Sequence, residues 1–312
     1  MRKERILIVG ANGQIGSVLT VALRNIYGQE NVVASDIRIP QEISNSDPFE
    51  LLDILDAQQL VRIIRKYQIT QIYHLAAILS AKGELDPRHA WDININGLFN
   101  VLEASRVYKL KLFFPSTIAV FGGDTPKHNA PQNTPLHPET VYGISKAAGE
   151  NWCQYYHQKF GVDVRSLRYP GIIGYESMPG GGTTDYAVEI FHYAVKNEPY
   201  TCFLKADTRL PMLYMPDAIR ATLEIMEAPA EKITVRNSYN LAGMSFTPAE
   251  LAAEIQKHYP AFTVSYAPDF RQGIAESWAE SIDDSLARTN WGWKHEYNLV
   301  GMTSDMIAHL AI

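Results

Sequence analysis

Residues 6–16 read Ile6-Leu7-Ile8-Val9-Gly10-Ala11-Asn12-Gly13-Gln14-Ile15-Gly16. Four apolar residues run into a glycine turn, and a helical pattern from Gln14 to about Ile26 opens directly behind it. A continuous apolar run of this length fits a strand buried on both faces. A GxxGxxG turn at a strand-to-helix junction lets backbone N–H groups approach a pyrophosphate at the helix N-terminus. A tight turn that binds nothing fits the same letters, so the context has to decide. The next apolar run, Val32-Val33-Ala34-Ser35, ends at Asp36, about 20 residues past Gly16, where an acidic side chain can hold both hydroxyls of an adenosine ribose. That carboxylate repels a 2′-phosphate, which points to NAD rather than NADP. Arg38, two residues on, is the one nearby group able to accept such a phosphate.

Working outward, short apolar strands alternate with helical patterns. Strands are predicted at Ile6–Val9, Val32–Ser35, Gln71–His74, Lys111–Pro115 and Asp163–Arg168, and helices near Gln14–Ile26, Ala57–Lys66, Pro87–Tyr108 and Val141–Gly161. That order predicts βαβ units, hence an α/β chain built on a Rossmann-type doubly wound parallel sheet, with ligands beyond the C-terminal strand ends. After Arg168 the pattern loosens. Met178 to Thr184 reads as a glycine-rich mobile loop leading into a helix from Asp185 to about Lys196. A return strand is expected near Tyr239–Leu241, and the tail carries a helix (Pro248–His258) and a strand near Thr263–Ala267. Residues 1–170 plus about 212–241 are therefore expected to form the NAD-binding domain, and about 171–211 with 242–312 a smaller substrate-binding lobe.

With 312 residues, the chain is long enough for a large core, and its net charge of −6, without a basic cluster, argues against a nucleic-acid surface. No apolar run approaches the roughly 18 residues of a membrane span. Met1-Arg2-Lys3-Glu4-Arg5 leads straight into a core strand, leaving no room for a signal peptide, so a cytoplasmic enzyme is expected. Cys153 and Cys202 are isolated, and the histidines are scattered; neither a disulfide framework nor a metal site is expected.

Tyr142-Gly143-Ile144-Ser145-Lys146 places a tyrosine and a lysine four apart at the start of a helix, hence on one face. An ammonium beside a phenol favours the phenolate, which can take a proton from an alcohol while hydride leaves the same carbon. Tyr155 and Lys159 repeat the spacing further along. They lie about 20 Å down the axis at about 1.5 Å per residue, toward the far sheet edge, and read as a packed, partly solvated face. Ser116 and Thr117 follow a strand on the ligand-facing edge; a hydroxyl there can hold the substrate alcohol in line with Tyr142, or merely satisfy turn backbone groups. Thr117 is the favoured group. His74 ends a buried strand and reads as a core histidine.

GxxGxxG at 10–16, Asp36, Asp53-Ile54, His74-Leu75-Ala76-Ala77, Asn94, the Ser-Thr pair and Tyr142/Lys146 together resemble the extended short-chain dehydrogenase/reductases. The resemblance implies a cofactor site of Gly10, Asn12, Gly13, Gln14, Ile15, Gly16, Asp36, Ile37 and Arg38. Asp53 and Ile54 would bracket the adenine, Leu75, Ala76 and Ala77 line the path, Asn94 join it, and Tyr169, Pro170 and Ile172 face the nicotinamide, whose ribose Lys146 would hold. The segments Ala76–Glu84, Arg168–Ile173, Pro179–Tyr186 and Ser277–Asp284 extend the likeness over nearly the whole chain, to the epimerase-like L-threonine 3-dehydrogenases of that family. This implies NAD-dependent oxidation of the threonine β-hydroxyl to 2-amino-3-oxobutanoate, without a metal, in a homodimer packed through the Pro87–Tyr108 and Val141–Gly161 helices. The chain departs from the broader family at Pro115-Ser116-Thr117, where a run of serines is usual, and at Arg209-Leu210-Pro211-Met212-Leu213-Tyr214. The second departure argues against a sugar-nucleotide substrate.

A small amino acid suits the remaining residues. Thr183 or Thr184 can cap the helix near Asp185, whose N-terminus would offer free N–H groups to a carboxylate; a plain glycine hinge with an ordinary cap is the alternative. Ser80 is placed to reach the substrate's polar end, and Trp278 to wall the pocket or to sit in the core. The 180–184 loop is expected to close over the substrate. Two rivals remain: a UDP-sugar 4-epimerase or dehydratase using the same tyrosine, and a non-catalytic NAD-binding protein.

Overall fold

β1 (Ile6–Val9) lies inside a seven-stranded sheet, hydrogen-bonded on one side to β2 (Val32–Asp36) and on the other to β4 (Gln71–His74). The computed structural model describes residues 4–40, 47–178 and 180–311. Met1–Lys3 of the N-terminal reading and Pro179 of the glycine-rich loop fall outside them. β3 (Phe49–Leu51) extends the sheet beyond β2, while β5 (Lys111–Thr117) and β6 (Val164–Tyr169) extend it beyond β4. β7 (Gly171–Ile173), β8 (Tyr200–Cys202) and β9 (Leu210–Tyr214) follow in the chain, and β10 (Tyr239–Asn240) returns to close the edge beside β6. The order is β10-β6-β5-β4-β1-β2-β3, with every pairing parallel. The chain leaves the β1–β2–β3 side and restarts at β4, so the crevice beyond β1 and β4 is the topological switch point.

Helices cover both faces because the strands are apolar on both. On one face α1 (Gln14–Tyr27) packs with Ile6, Ile8 and Val32; on the other, α2 (Ala57–Tyr67) and later helices pack with Leu7, Val9 and Val33. The predicted helix at Pro87–Tyr108 is not uniform. After α3 (Ser80–Leu85) come α4 (Pro87–Trp91), a wide π-turn at Asp92–Asn96, and α5 (Gly97–Tyr108). The π-turn brings the Asn94 side chain inward, and Gly97 lets α5 lie against Ile54, whose Cγ2 an added Cβ would meet at 2.9 Å. α6 (Val141–Phe160) is started by Thr140, whose hydroxyl accepts from the Gly143 N–H.

A third core gathers α7 (Tyr186–Ala194), β9 and the tail. α8 (Met215–Glu227) returns to the main sheet. β11 (Met244–Phe246) pairs with β9, and α9 (Pro248–Gln256) and β12 (Val264–Tyr266) match the expected tail elements, β12 pairing with β8. α10 (Arg271–Ser277), α11 (Ser285–Trp291) and α12 (Leu299–Leu310) complete the chain. These three helices, α3, α8, and the short strands β3, β7, β8, β9 and β11 were not expected. No helix among the described residues is long and apolar enough to cross a membrane.

Candidate active site

The glycine turn is shaped by close approach. Gly10 has φ +89°, and a Cβ there would meet the Ala76 nitrogen at 2.6 Å; a Cβ on Gly16 would strike the Gly10 carbonyl. Gly10 and Ala11 N–H both donate to the Ser35 carbonyl at 2.9 Å, which pins the turn to the end of β2. Asp36, at that strand end, accepts from the Asn12 N–H at 3.0 Å and the Arg38 N–H at 3.2 Å. The cap of α1 is Gly13, with no side-chain cap, so the first-turn N–H groups face the cleft without a side-chain acceptor. An uncapped helix end fitted with glycine, beside an acidic strand end, suits the pyrophosphate and ribose of a dinucleotide.

A cleft of about 240 Å³ opens there. It is lined by Gly10, Gly13, Gln14, Ile15, Gly16, Leu75, Ala77, Tyr169, Pro170 and Ile172 of the expected cofactor residues, and by Ser80, Ser116, Thr117, Tyr142, Lys146, Thr184 and Trp278 of the expected catalytic and substrate residues. Asn12, Asp36, Ile37, Arg38, Asp53, Ile54, Ala76 and Asn94 are not on its wall. Asp36 ends β2, Asp53 follows the paired strand β3 by two residues, and Ile54 is buried. Asn94 is also buried: it accepts from the Ile78 N–H at 2.8 Å and donates to the Ser145 hydroxyl at 3.0 Å, tying the path after β4 to α6.

Thr117 ends β5; its hydroxyl accepts from the Ala119 N–H at 3.2 Å and lies near enough to the Tyr142 phenol to favour its ionised form. Lys146, one turn along α6, donates to the Pro115 carbonyl at 2.7 Å and lies 4.6 Å over the Phe114 ring. The expectation that the lysine brings the phenol down is not met. Burial pushes Tyr142 up to about 12, with the neighbouring Thr117 hydroxyl acting against it. Lys146 stands 5.7 Å from the centre of the Tyr142 ring, over its face, while burial takes its own amine down to about 8. Ser116 lines the cleft, but its hydroxyl is donated to Glu150 Oε1 at 2.6 Å. Burial pushes His74 down to about 3, so it is neutral. Tyr155 packs against Trp152 and Phe160, away from the cleft.

The expected threonine cap and free amides at the next helix are overturned. α7 starts at Tyr186 with Asp185 in the cap position, and no side chain caps it. Its first-turn amides are taken locally: Ala187 N–H donates to the Thr184 carbonyl and Val188 N–H to that of Asp185. The Asp185 carboxylate turns back and accepts from the Gly181 N–H at 2.7 Å and the Gly182 N–H at 2.6 Å. Burial pushes this carboxyl up, with the glycine amides acting against it. Asp185 lines the cleft and was read only as a helix start; its signal was an acid directly behind a glycine-rich run. Thr183 is buried, its hydroxyl without a partner among the described residues. Trp278 is both wall and core, lining the cleft while 6% exposed. Among the described residues no group of three or more His, Cys, Asp or Glu is placed to hold a metal ion.

Residues 6–242 match the NAD dependent epimerase/dehydratase family. An uncharacterised epimerase/dehydratase of Staphylococcus haemolyticus is 50% identical over 97% of this chain and 96% of its own length. The holo form of the L-threonine dehydrogenase from Cupriavidus necator is 56% identical and superposes with a TM-score of 0.96, covering 98% of this chain and 99% of that one. A monomeric L-threonine 3-dehydrogenase from a metagenome is 48% identical with a TM-score of 0.95, covering 98% of each chain.

Proposed function

The chain belongs to the NAD dependent epimerase/dehydratase family, and from that premise we propose that it oxidises the β-hydroxyl of L-threonine to 2-amino-3-oxobutanoate. The observation that carries this reading is that Tyr142, Thr117 and Lys146 line one cleft that also holds an uncapped helix end and a carboxylate. Bound NAD supplies the hydride acceptor. Gly10, Gly13, Gln14, Ile15 and Gly16 hold its pyrophosphate side, and Asp36 with Asp53 its adenosine side. Thr117 orients the substrate hydroxyl and Tyr142, as phenolate, takes its proton. Lys146 supplies positive charge beside the phenol and a donor for ribose.

The substrate end follows from charge. Asp185 is a carboxylate at the cleft wall and suits the α-ammonium of an amino acid; Thr183, Thr184 and Ser80 offer hydroxyls to its carboxylate. A carboxylate in that place repels the diphosphate of a UDP-sugar, which weighs against the epimerase rival. Trp278 and the 180–184 segment would exclude water.

Two lobes are part of the proposal, with the boundaries given above; in the small sheet β11-β9-β7 two strands of the smaller lobe flank β9, which spans the boundary at 211/212. A homodimer through α4, α5 and α6 is also proposed, supported by the exposed Trp91, Trp152, Tyr155 and Phe160. The monomeric relative makes light scattering the decisive measurement. The buried, unpaired Cys153 and Cys202 suit a reducing compartment such as the cytoplasm. The functional test is NADH formation at 340 nm with L-threonine, serine, 3-hydroxybutyrate and UDP-galactose. Threonine is expected to be the preferred substrate; turnover of UDP-galactose, or of no alcohol at all, overturns the reading.

A further inference from the structure

Arg168 and Glu150 form an ion pair in which both side chains are buried, at 1% and 0% exposure. The contact is bidentate: Nη2 donates to Oε2 at 2.7 Å and Nε to Oε1 at 2.9 Å. The same Oε1 accepts the Ser116 hydroxyl. Arg168 also donates to the Gln132 carbonyl and to Asn240 Oδ1, both at 3.0 Å. Ser116 and Arg168 are direct neighbours in the β5·β6 ladder, as are Thr117 and Tyr169. Alternation along β5 turns Ser116 to the α6 side with Leu112 and Phe114, at the residue just before Thr117. Glu150 lies one turn beyond Lys146 and two beyond Tyr142 on the same face of α6. A buried ion pair is a poor stabiliser, since apolar residues of similar volume often serve as well or better. Its value here has to lie in what it touches.

We propose, on the dehydrogenase reading above, that Glu150, held by Arg168, is a positioning residue for the reaction: through Ser116 it fixes the strand end bearing Thr117, and its charge keeps Lys146 an ammonium. The groups around Lys146 are Tyr142, Glu150 and Cys153 on α6, His74 on β4, the Phe114 ring and Pro115 carbonyl on β5, and Arg168 beyond Glu150 on β6. Burial lowers the Lys146 amine, with Cys153 and Glu150 acting against it. Burial also raises the Cys153 thiol far above its usual range, so it is neutral at neutral pH, as is His74. The standing negative charge beside Lys146 is therefore that of Glu150.

The test uses the full chain in two measurements. In the free protein, the Lys146 side-chain signal, assigned by comparison with Lys146→Arg, is titrated by NMR on lysine-labelled samples. Glu150→Gln keeps the shape and removes the charge; the midpoint is expected to move down by roughly one pH unit. With NAD and L-threonine, the pH at which kcat/KM stops rising is expected to move down with it. Ser116→Ala keeps the ion pair, so the midpoint stays and kcat falls about tenfold with KM nearly unchanged. Glu150→Asp keeps the charge and returns the midpoint toward that of the parent. A Glu150→Gln protein with lower Tm but the parental midpoint and pH profile overturns the proposal. Should Glu150→Gln not fold, Ser116→Ala carries the test, and an unchanged kcat in that variant overturns the proposal. If the parent protein does not oxidise L-threonine, the dehydrogenase reading fails, while the titration in the free protein still decides the electrostatic half.

Discussion

Two helices direct their N-termini at one cleft, and the two ends are prepared for opposite charges. α1 begins at Gly13 with no side-chain cap and no acidic residue in its first turn. α7 begins at Asp185, its first-turn amides are closed by carbonyls of Thr184 and Asp185, and the glycine amides before it are filled by the Asp185 carboxylate. Both sit behind glycine-rich runs. The difference is one side chain: an end left open offers donors to an anion, while an end filled by its own carboxylate presents that carboxylate to a cation. Thr117, Tyr142 and Lys146 line the same cleft. A substrate with an ammonium at one end and a hydroxyl near the other would be held between the acid and the phenol.

The largest expected effect removes the phenol that shares the cleft with the two ends. Tyr142→Phe should lower kcat by about a thousandfold, within the usual range for a positioned acid–base group, with the NAD Kd changed only a few-fold. If NAD binding falls in parallel, the phenol belongs to the cofactor end and the division between the ends breaks. The same group sets the pH dependence. Burial holds Tyr142 up to about 12 and Lys146 down to about 8, so phenolate gains tenfold per pH unit while ammonium survives below about 8. kcat/KM for the parent should therefore rise about a hundredfold from about pH 6 to about pH 8 and then level off, since above that Lys146 loses its proton as fast as Tyr142 does. A profile already flat below about pH 7 would show that the phenol is not held high.

Making one end resemble the other is the sharper experiment. Gly13 has φ −75°, and a Cβ there would meet nothing closer than the Gly10 carbonyl at 3.4 Å, so an acidic side chain fits. Gly13→Asp should cap α1, holding or raising Tm, while weakening NAD by about a hundredfold through repulsion of the pyrophosphate. Unchanged NAD binding in a folded protein would mean that α1 is not the anion-binding end. The converse, Asp185→Asn, discharges the other end. kcat/KM for L-threonine should fall about tenfold to a hundredfold, the range for a hydrogen bond to a charged group, and 3-hydroxybutyrate, with no ammonium, should suffer less. Equal losses on both alcohols would make Asp185 a loop anchor only.

The two ends also differ in how far the amino-acid sequence announced them. α1 could be read because its signal is local: an apolar run fixes the strand, and glycines at 10 and 16 allow approaches that a Cβ would block. At α7 the letters Gly-Gly-Gly-Thr-Thr-Asp serve a threonine cap or a returning aspartate equally well, and only the loop's path chooses. The Tyr142/Lys146 spacing placed both on one face of α6, but it carried no information on burial, which moves both groups opposite to the chemical expectation. Strands of three residues such as β7 and β8 are shorter than any readable period, and the π-turn at Asp92–Asn96 contains no Gly or Pro to mark it.

The smallest expected effect probes the border of the open end. Asp36 does for the turn what Asp185 does for its glycines: its carboxylate accepts one turn amide, that of Asn12, yet it leaves the first turn of α1 free. Asp36→Asn keeps an acceptor for that N–H and removes the charge that repels a 2′-phosphate. NAD binding should weaken only a few-fold, about 1 kcal/mol, because the turn is still held by the Ser35 carbonyl. NADP should improve by a similar factor, with Arg38, exposed beside it, as the group that receives the phosphate. Adding Arg38→Ala should cancel the NADP gain and leave NAD where Asp36→Asn put it. If instead NADP and NAD weaken together in Asp36→Asn, the carboxylate acts mainly by holding the glycine turn, and the preference for NAD has to come from elsewhere along the rim.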